Sequence, residues 1–497
     1  MMPGILALAL AGLAHALPPG EDAAREALGA AGLTWTEPST GPAPTEPWWR
    51  AMDDAGLSAV IERSLRDSPA VLASWERVGA ARAGAWQAGS ALLPSASLSA
   101  GWARNSTEPT VQQFLNQATS QNPNVPEDVL EEQILDFLGD SWDTANLRLS
   151  GAWNVDLFGA TTTAFLASRL DAEAMEGNRA AQGVAVAASV GAAWYDLIAA
   201  TERRTFVREQ VRVGEDLLHL VTLRFEGGEA SALDVLQQKQ QLANIRAAQP
   251  ATEAMVERAG WRLATLIGLA PAALDPGALG LPERLPEPPR PPSTGAPADL
   301  LRNRPDLVAA VKTADAADHR RLSAWLGLAP TVQLSAFTGE QGQLFGADAE
   351  EWDRVGNWQL GATATVPLFN GGRKLAGARA GTATARAALH DLEQATLDAV
   401  REVEDARRVL QQRTDELAAR DAQVRAARMA FEESRNRYAG GLTPYVNVMT
   451  ALNTLQSAEL GLIQARRDRL TAHISLHNAL GAPWALAQAR PPAGDPR

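Results

Sequence analysis

The chain repeats itself, and the spacing of the repeat restricts the fold more than any other feature. Pro69 and Pro305 are 236 residues apart, and so are Pro94 and Pro330. Around the second pair, residues 92–100 read LLPSASLSA and residues 328–336 read LAPTVQLSA. Leu157-Phe158 and Leu368-Phe369 are 211 apart. Arg224-Phe225-Glu226-Gly227-Gly228 and Arg437-Tyr438-Ala439-Gly440-Gly441 are 213 apart, and Gly268 and Gly481 keep that spacing. Anchors in one order at near-constant offsets specify two copies of one supersecondary unit. The fall from 236 to 211 places a 25-residue excess in the first copy, between Ala100 and Leu157. Residues 105–144 hold eight acids and no Lys or Arg, so this stretch reads as a long acidic loop.

The anchors divide the chain. Residues 1–16 have an apolar core ending in Ala14-His15-Ala16 and read as a secretory signal, although no Lys or Arg precedes the core. Residues 17–52 read as an extended segment. The first repeat runs over 53–270 and the second over 298–482. Between them, 271–297 carries nine prolines and reads as a linker. The tail, 483–497, has no pattern. Each repeat has the same expected order: a helix (53–90, 298–327), a strand after Pro94 or Pro330, and a second strand ending at Leu157-Phe158 or Leu368-Phe369. A very long helix, a Gly-Gly turn and a returning helix follow.

The strands alternate. Leu147, Leu149, Gly151, Trp153, Val155 and Leu157 share one face, against Asn146, Arg148, Ser150, Asn154 and Asp156. Trp358, Leu360, Ala362, Ala364, Val366 and Leu368 repeat this against Gln359, Gly361, Thr363 and Thr365. Period-2 alternation of this length suits a tilted transmembrane strand. A half-buried sheet in a water-soluble domain alternates in the same way. Trp102, Trp142, Trp153, Trp352 and Trp358 lie in or beside the strands, where interfacial girdles form. Four strands cannot close a barrel, and an open edge in lipid leaves N–H and C=O groups unpaired. Strands that span a membrane here therefore require several chains.

The helices are too long for an ordinary bundle. From Gly371 to Tyr438 nothing interrupts the helical pattern, a length of roughly 100 Å. Leu389, Leu392, Thr396, Ala399, Val403, Ala406 and Leu410 follow coiled-coil spacing, as do Val184, Ala187, Gly191, Trp194 and Ile198. Gly227-Gly228 and Gly440-Gly441 are expected C-caps. Ser231 can N-cap the next helix with Asp234 in its first turn. Thr443-Pro444 reads as a cap followed by a first-turn proline.

Composition narrows the function classes. The net charge is −13, which disfavours nucleic acid. There is no cysteine, so disulfides, zinc thiolates and cysteine nucleophiles are excluded. Mean hydropathy is −0.16, too polar for a polytopic helical membrane protein. Residues 180–200 approach a spanning length, but Gln182 and Asp196 interrupt them. His473 and His477 share a helical face without the glutamate of a zinc protease motif, and read as helix surface. No P-loop, dinucleotide fingerprint or nucleophile elbow appears, so neither an enzyme nor a cofactor is expected.

Together these features resemble the TolC-like outer membrane factor family, in its OprM/NodT branch of multidrug efflux channels. The motifs that carry the resemblance are Trp153-Asn154-Val155-Asp156-Leu157-Phe158-Gly159, Arg302-Asn303-Arg304-Pro305-Asp306-Leu307, Pro367-Leu368-Phe369-Asn370-Gly371-Gly372-Arg373 and Arg437-Tyr438-Ala439-Gly440-Gly441. It runs from about Trp48 to Gly481. The resemblance implies a mainly α fold: a long coiled-coil helical barrel plus four strands per chain, shared by a homotrimer in one twelve-stranded transmembrane β-barrel. It implies an outer membrane location in a Gram-negative bacterium, with the helices in the periplasm.

The implied function is a passive exit duct for small molecules such as drugs and toxic compounds. The implied partners are a periplasmic adaptor, an inner-membrane RND or ABC pump, and outer membrane lipid. Adaptor docking maps to Gly227, Gly228, Gly440 and Gly441. Lipid contact maps to Leu147, Leu149, Trp153, Val155, Trp358, Leu360 and Val366. The periplasmic aperture maps to Val446, Asn447, Thr450 and Asn453, with Asp234 the nearest carboxylate. Family apertures use acidic side chains, which these positions lack, so the expected constriction is polar and neutral. Two alternatives share much of the pattern: an exit duct for type I protein secretion, and a periplasmic coiled-coil scaffold without a pore.

Overall fold

The computed structural model describes residues 17–30, 46–106, 141–345, 353–481 and 483–486, with Pro126 and Val129. The elements in chain order are α1 (Gly20–Ala30), α2 (Ala55–Asp67), α3 (Pro69–Ser90), β1 (Ser95–Ser106), β2 (Ser141–Val155), α4 (Ala160–Glu226), α5 (Ala232–Leu266), α6 (Leu300–Asn303), α7 (Pro305–Leu326), β3 (Thr331–Phe345), β4 (Asp353–Thr365), α8 (Arg373–Ala439), α9 (Tyr445–Leu480) and α10 (Pro483–Leu486). The chain divides into two compact units. One holds Leu17, 83–169 and 317–385, and the other 18–82, 170–316 and 386–497.

The first unit is built on a four-stranded antiparallel sheet in the order β1-β2-β3-β4. The register pairs Leu98 with Leu149, Trp153 with Leu334, and Ala336 with Leu360. The central contact is β2 on β3, joining the two repeats along their second and first strands respectively. At the sheet's base Trp153 Nε1 donates to Leu92 O, in the turn after α3, at 2.9 Å, and Lys374 Nζ of α8 donates to Gly327 O, just past α7, at 2.8 Å. The Trp-Asn-Val-Asp motif acquires a physical role here. The Asp156 carboxylate accepts from Thr161 N at 3.1 Å and Thr162 N at 2.7 Å, satisfying orphan donors at the start of α4. Burial pushes the Asp156 carboxyl up, but the Thr162 bonds outweigh it and hold the acid below its ordinary range.

The second unit holds the hairpins α4–α5 and α8–α9 around apolar clusters, of which three are large. Trp48, Trp49, Leu57, Ile61, Trp194 and Ile474 belong to one. Leu300, Leu307, Leu392, Val403 and Leu480 belong to another. Leu217, Val221, Phe431, Tyr445 and Leu452 belong to the third, nearest the turns. The heptad positions Leu392, Thr396, Ala399, Val403 and Leu410 are buried, and so are Val184, Ala187, Gly191, Trp194 and Ile198. The apolar run 180–200 is thus core, inside α4.

One contact is made twice. Gly268 has φ +78° and a Cβ there would lie 2.8 Å from Asp67 O; Gly481 has φ +91° and a Cβ would lie 2.5 Å from Asn303 O. Asp67 and Asn303 each stand two residues before a proline, at the offset of 236. Each returning helix therefore ends against the chain where the repeat begins. In the second repeat Arg304, 10% exposed at its side chain, bonds Asp306, Glu402 Oε2 at 2.8 Å and Ala479 O at 3.2 Å, tying that junction together.

The structure corrects several expectations. The opening helix of each repeat is two helices, broken at Ser68-Pro69 and Arg304-Pro305, because proline disfavours helical backbone at the residue before it. Residues 17–52 are not extended throughout: 20–30 form α1 and 48–52 a 3-10 turn. Strands end at Val155 and Thr365, three or four residues early, so Val366 stands outside β4. The acidic loop is narrower than 105–144, since 105–106 and 141–144 are strand. The body of that loop, the signal 1–16, Trp352 and residues 487–497 lie outside the described residues.

Candidate functional site

The hairpin turns carry the first group of candidate residues. Glu229 N donates to Arg224 O at 2.8 Å, and Gly228 N to Phe225 O at 3.0 Å. In the second repeat Leu442 N donates to Arg437 O at 2.8 Å, and Gly441 N to Tyr438 O at 3.0 Å. These are Schellman caps, and they need left-handed backbone at Gly228 (φ +77°) and Gly441 (φ +72°). Gly227 and Gly440, the preceding positions, have negative φ. Exposed apolar side chains surround both turns: Phe225, Leu233 and Leu236 on one, Leu442 and Val446 on the other.

The positions expected at the aperture fall together on α9. Val446, Asn447, Thr450 and Asn453 are all exposed on the first turns of α9. Tyr445, Val448 and Leu452 point the other way, into the core. Asn447 Nδ2 donates to Thr443 Oγ1 at 2.7 Å, and Thr450 Oγ1 donates to Val446 O at 2.9 Å. Asn453 Oδ1 accepts from Gln241 Nε2 of α5 at 2.6 Å. Pro444 occupies the N-cap position itself, with Tyr445 first in the helix, one residue later than expected. Asp234 does not join this face. It closes a capping box, Ser231 N to Asp234 Oδ2 at 3.0 Å and Asp234 N to Ser231 Oγ at 3.2 Å.

Sequence reasoning missed the polar links that tie one hairpin to the other beneath the turns. Tyr445 donates its hydroxyl proton to Gln238 Oε1, and Gln238 Nε2 donates to Gly214 O at 2.7 Å. Arg224 donates to Tyr438 O with its guanidinium 4.7 Å from that ring, and Gln456 Nε2 donates to Gln210 Oε1 at 2.8 Å. Gln238 and Tyr445 are fully buried, and burial raises the Tyr445 phenol, so the donor proton stays in place. A lone Gln in a helix of many carries no sequence signal; the 213-residue alignment of the turns was the only pointer.

The sheet carries the second group. The register puts Leu98, Leu147, Leu149, Trp153, Val155, Leu334, Trp358 and Leu360 on one face. Ser97, Ser150, Arg148, Gln359 and Asn357 lie on the other. Both faces are open to solvent in the single chain: Leu98 is 69% exposed, Trp102 64%, Trp358 78% and Leu360 76% on the first, and Val355 59% on the second. Toward the loop end the apolar column meets charge, where Arg104 and Asp143 form a two-point pair at 2.8 and 3.1 Å. From Val155 to Asp143 the strand rises about 40 Å at about 3.3 Å per residue. A barrel tilt of about 40° reduces this to about 30 Å, the thickness of a hydrocarbon core, with Glu340, opposite Leu147, the one charge on this face well inside the span.

His473 and His477 are buried, not on a helix surface; their rings lie 4.9 Å apart, with Trp48 6.4 Å from His477. Among the described residues no group of three or more His, Asp or Glu is placed to hold a metal ion. Burial, with the Arg469 charge beside His473, holds the two imidazoles down at about 4 and about 3. The unfolded value is about 6.5, so the unfolded chain binds protons first. Stability from this pair is full above pH of about 6.5 and declines as the pH falls toward about 4. The melting temperature should drop between pH 7.5 and pH 5, and the drop should shrink in the His473→Gln/His477→Gln variant. An equal drop in that variant would assign the acid sensitivity to other groups.

The comparisons with known proteins match this geometry. The profile of the family described as "Outer membrane efflux protein" matches residues 60–269 and 296–482, close to the two repeats. The chain is 29% identical over 440 residues to the pyoverdine export outer membrane protein OpmQ of Pseudomonas aeruginosa, covering 88% of this chain and 87% of that one. It is 27% identical over 349 residues to the probable efflux pump outer membrane protein TtgC of Pseudomonas putida, 69% of each. The solved outer-membrane channel OprN superposes with a TM-score of 0.73 at 25% identity, covering 91% of this chain and 99% of that one. The chain belongs to the outer membrane efflux protein family, of the OprM/NodT type, and is an outer membrane exit duct for efflux.

Proposed function

We propose that three copies of the chain build one passive duct, ending in a twelve-stranded barrel, that takes small toxic molecules from an inner-membrane pump of the RND or ABC type through a periplasmic adaptor. The observation that carries this reading is the sheet. One chain supplies four strands with an exposed, largely apolar face, and among the described residues the outer edges of β1 and β4 have no partner strand. Such edges cannot face hydrocarbon, and β1 of one copy against β4 of the next removes them. Four strands per chain leave the number of copies open; the family resemblance supplies three.

In this reading the apolar face, with Leu147, Leu149, Trp153, Val155, Trp358 and Leu360, meets lipid. The turns at Gly227-Gly228 and Gly440-Gly441, ringed by exposed Leu and Phe, receive the adaptor. Val446, Asn447, Thr450 and Asn453 line an aperture without charge. The protein makes and breaks no bonds; the pump supplies the energy.

Light scattering of the detergent-extracted protein, corrected for bound detergent, tests the assembly. A mass near three chains, found only in the outer membrane fraction, is expected. A monomer or dimer released without detergent would overturn the barrel and favour the scaffold.

A further inference from the structure

The polar face of the sheet carries a single charged group among the strand residues whose side chains are described. Arg148 stands in the middle of β2, exposed, on the same face as Ser150, Asn146 and Gln359. Its guanidinium carbon lies 3.6 Å from the centre of the Phe337 ring on β3, a stacking contact that fixes the charge against the wall. The residue opposite it is Gly339, where a Cβ would lie 2.5 Å from Leu147 O and 3.0 Å from Arg148 Cα. With no side chain there, the guanidinium has room to lie along β3. The other strand charges, Arg104, Asp143, Glu340 and Arg354, alternate onto the apolar face.

We propose that Arg148, repeated around the barrel, sets the charge preference of the outer pore and favours anionic small molecules in transit. This rests on the reading of the sheet as one third of a closed barrel, with its polar face inward. Twelve strands spaced about 4.8 Å apart and tilted about 40° give a backbone radius of about 12 Å. An arginine reaches about 5 Å inward, which leaves three guanidinium groups within about one screening length of the axis at physiological salt. Rings of Arg or Lys are the arrangement that selects anions in pores. The aperture positions Asn447 and Thr450 carry no charge, so no acidic ring there opposes it. Asp353 has the same strand parity but stands at the last rung of β4, opposite Gln343. That is four residues, about 14 Å, from the rung of Arg148, beyond the screening length.

Reversal potentials in planar bilayers under a potassium chloride gradient test this. Three charges acting through water and salt are worth about a threefold change in ion preference. Arg148→Gln should lower the chloride-to-potassium permeability ratio by about that factor. Arg148→Lys should keep it. Gln359→Arg, on the same face two strands away, should raise it by a similar factor, which keeps the proposal testable if Arg148 variants fail to assemble. Channels whose ratio is unchanged by Arg148→Gln, or by Gln359→Arg, would overturn the role of this face. A wild-type protein that forms no conductance would instead overturn the barrel reading on which it rests.

Discussion

Replacing Leu360 with Arg is expected to prevent stable barrel formation, while replacing its neighbour Gln359 with Arg is tolerated. The two residues are adjacent in β4, pair with Ala336 and Phe337, and differ only in the face they occupy. Leu360 is 76% exposed in the single chain, with no protein atoms to cover it. In lipid that exposure is an asset; for a guanidinium it is a penalty of about 2–4 kcal/mol near the bilayer midplane. In the proposed trimer, three copies multiply this to about 6–12 kcal/mol, comparable with the whole stability of an ordinary domain. On the opposite face the same cation meets water. Urea titration of the protein folded into lipid vesicles reads the difference directly. Equal urea midpoints for the two variants would mean that neither face meets hydrocarbon, and the sheet would need another explanation.

The second large effect is expected at Gly481. The backbone there combines φ +91° with ψ 175°, a region that is essentially glycine's own. A valine would also drive its Cβ into Asn303 O and C, at 2.5 and 2.6 Å. The partner in this contact is backbone, which cannot turn aside as a flexible side chain can. Relief requires the end of α9 to move from Asn303 and Arg304, stretching the Arg304 bond to Ala479 O. Gly481→Val should cost about 4 kcal/mol or more, a melting shift of about 4 °C for a chain of 497 residues. Gly268→Val should do the same in the first repeat, against Asp67 O at 2.8 Å. Gly84→Ala is the control: it sits inside α3 with open space around it and should be neutral or stabilising. A Gly481→Val protein as stable as Gly84→Ala would show that the repeat junction yields easily.

Much of the fold was legible because its signals are local. Alternation along β2 and β4 fixes which side chains share a face, since successive strand residues point to opposite sides. The Gly-Gly turns announce caps because only a residue tolerant of positive φ closes a Schellman motif, and both turns close with the same bonds. The Ser231–Asp234 box was readable from three residues' separation. The helix breaks at Pro69 and Pro305 were equally local, and an uninterrupted helix over 53–90 or 298–327 gave too little weight to the steric demand on Ser68 and Arg304.

Other features were settled by which helix packs against which. His473 and His477 carry the spacing of one helical face, and spacing does not say whether that face meets water or Trp48. Gln238 is one glutamine among several in α5, and only the packing of α4, α5 and α9 buries it against Tyr445 and Gly214. Arg148 alternates with Leu149 in the sequence, yet its seat on Phe337 depends on the β2–β3 register, which joins residues 189 apart. Sequence alone sufficed for the two-fold repeat, which anchors 211 to 236 residues apart reveal, and for the faces of the strands, the lengths of the hairpins and the chemistry of the turns, each of which depends on residues a few positions apart. The tertiary structure alone decided the partners of the buried polar groups and the close approach at Gly268 and Gly481. Those depend on long-range docking, where a buried hydrogen bond or a missing Cβ is defined by a neighbour from a distant part of the chain.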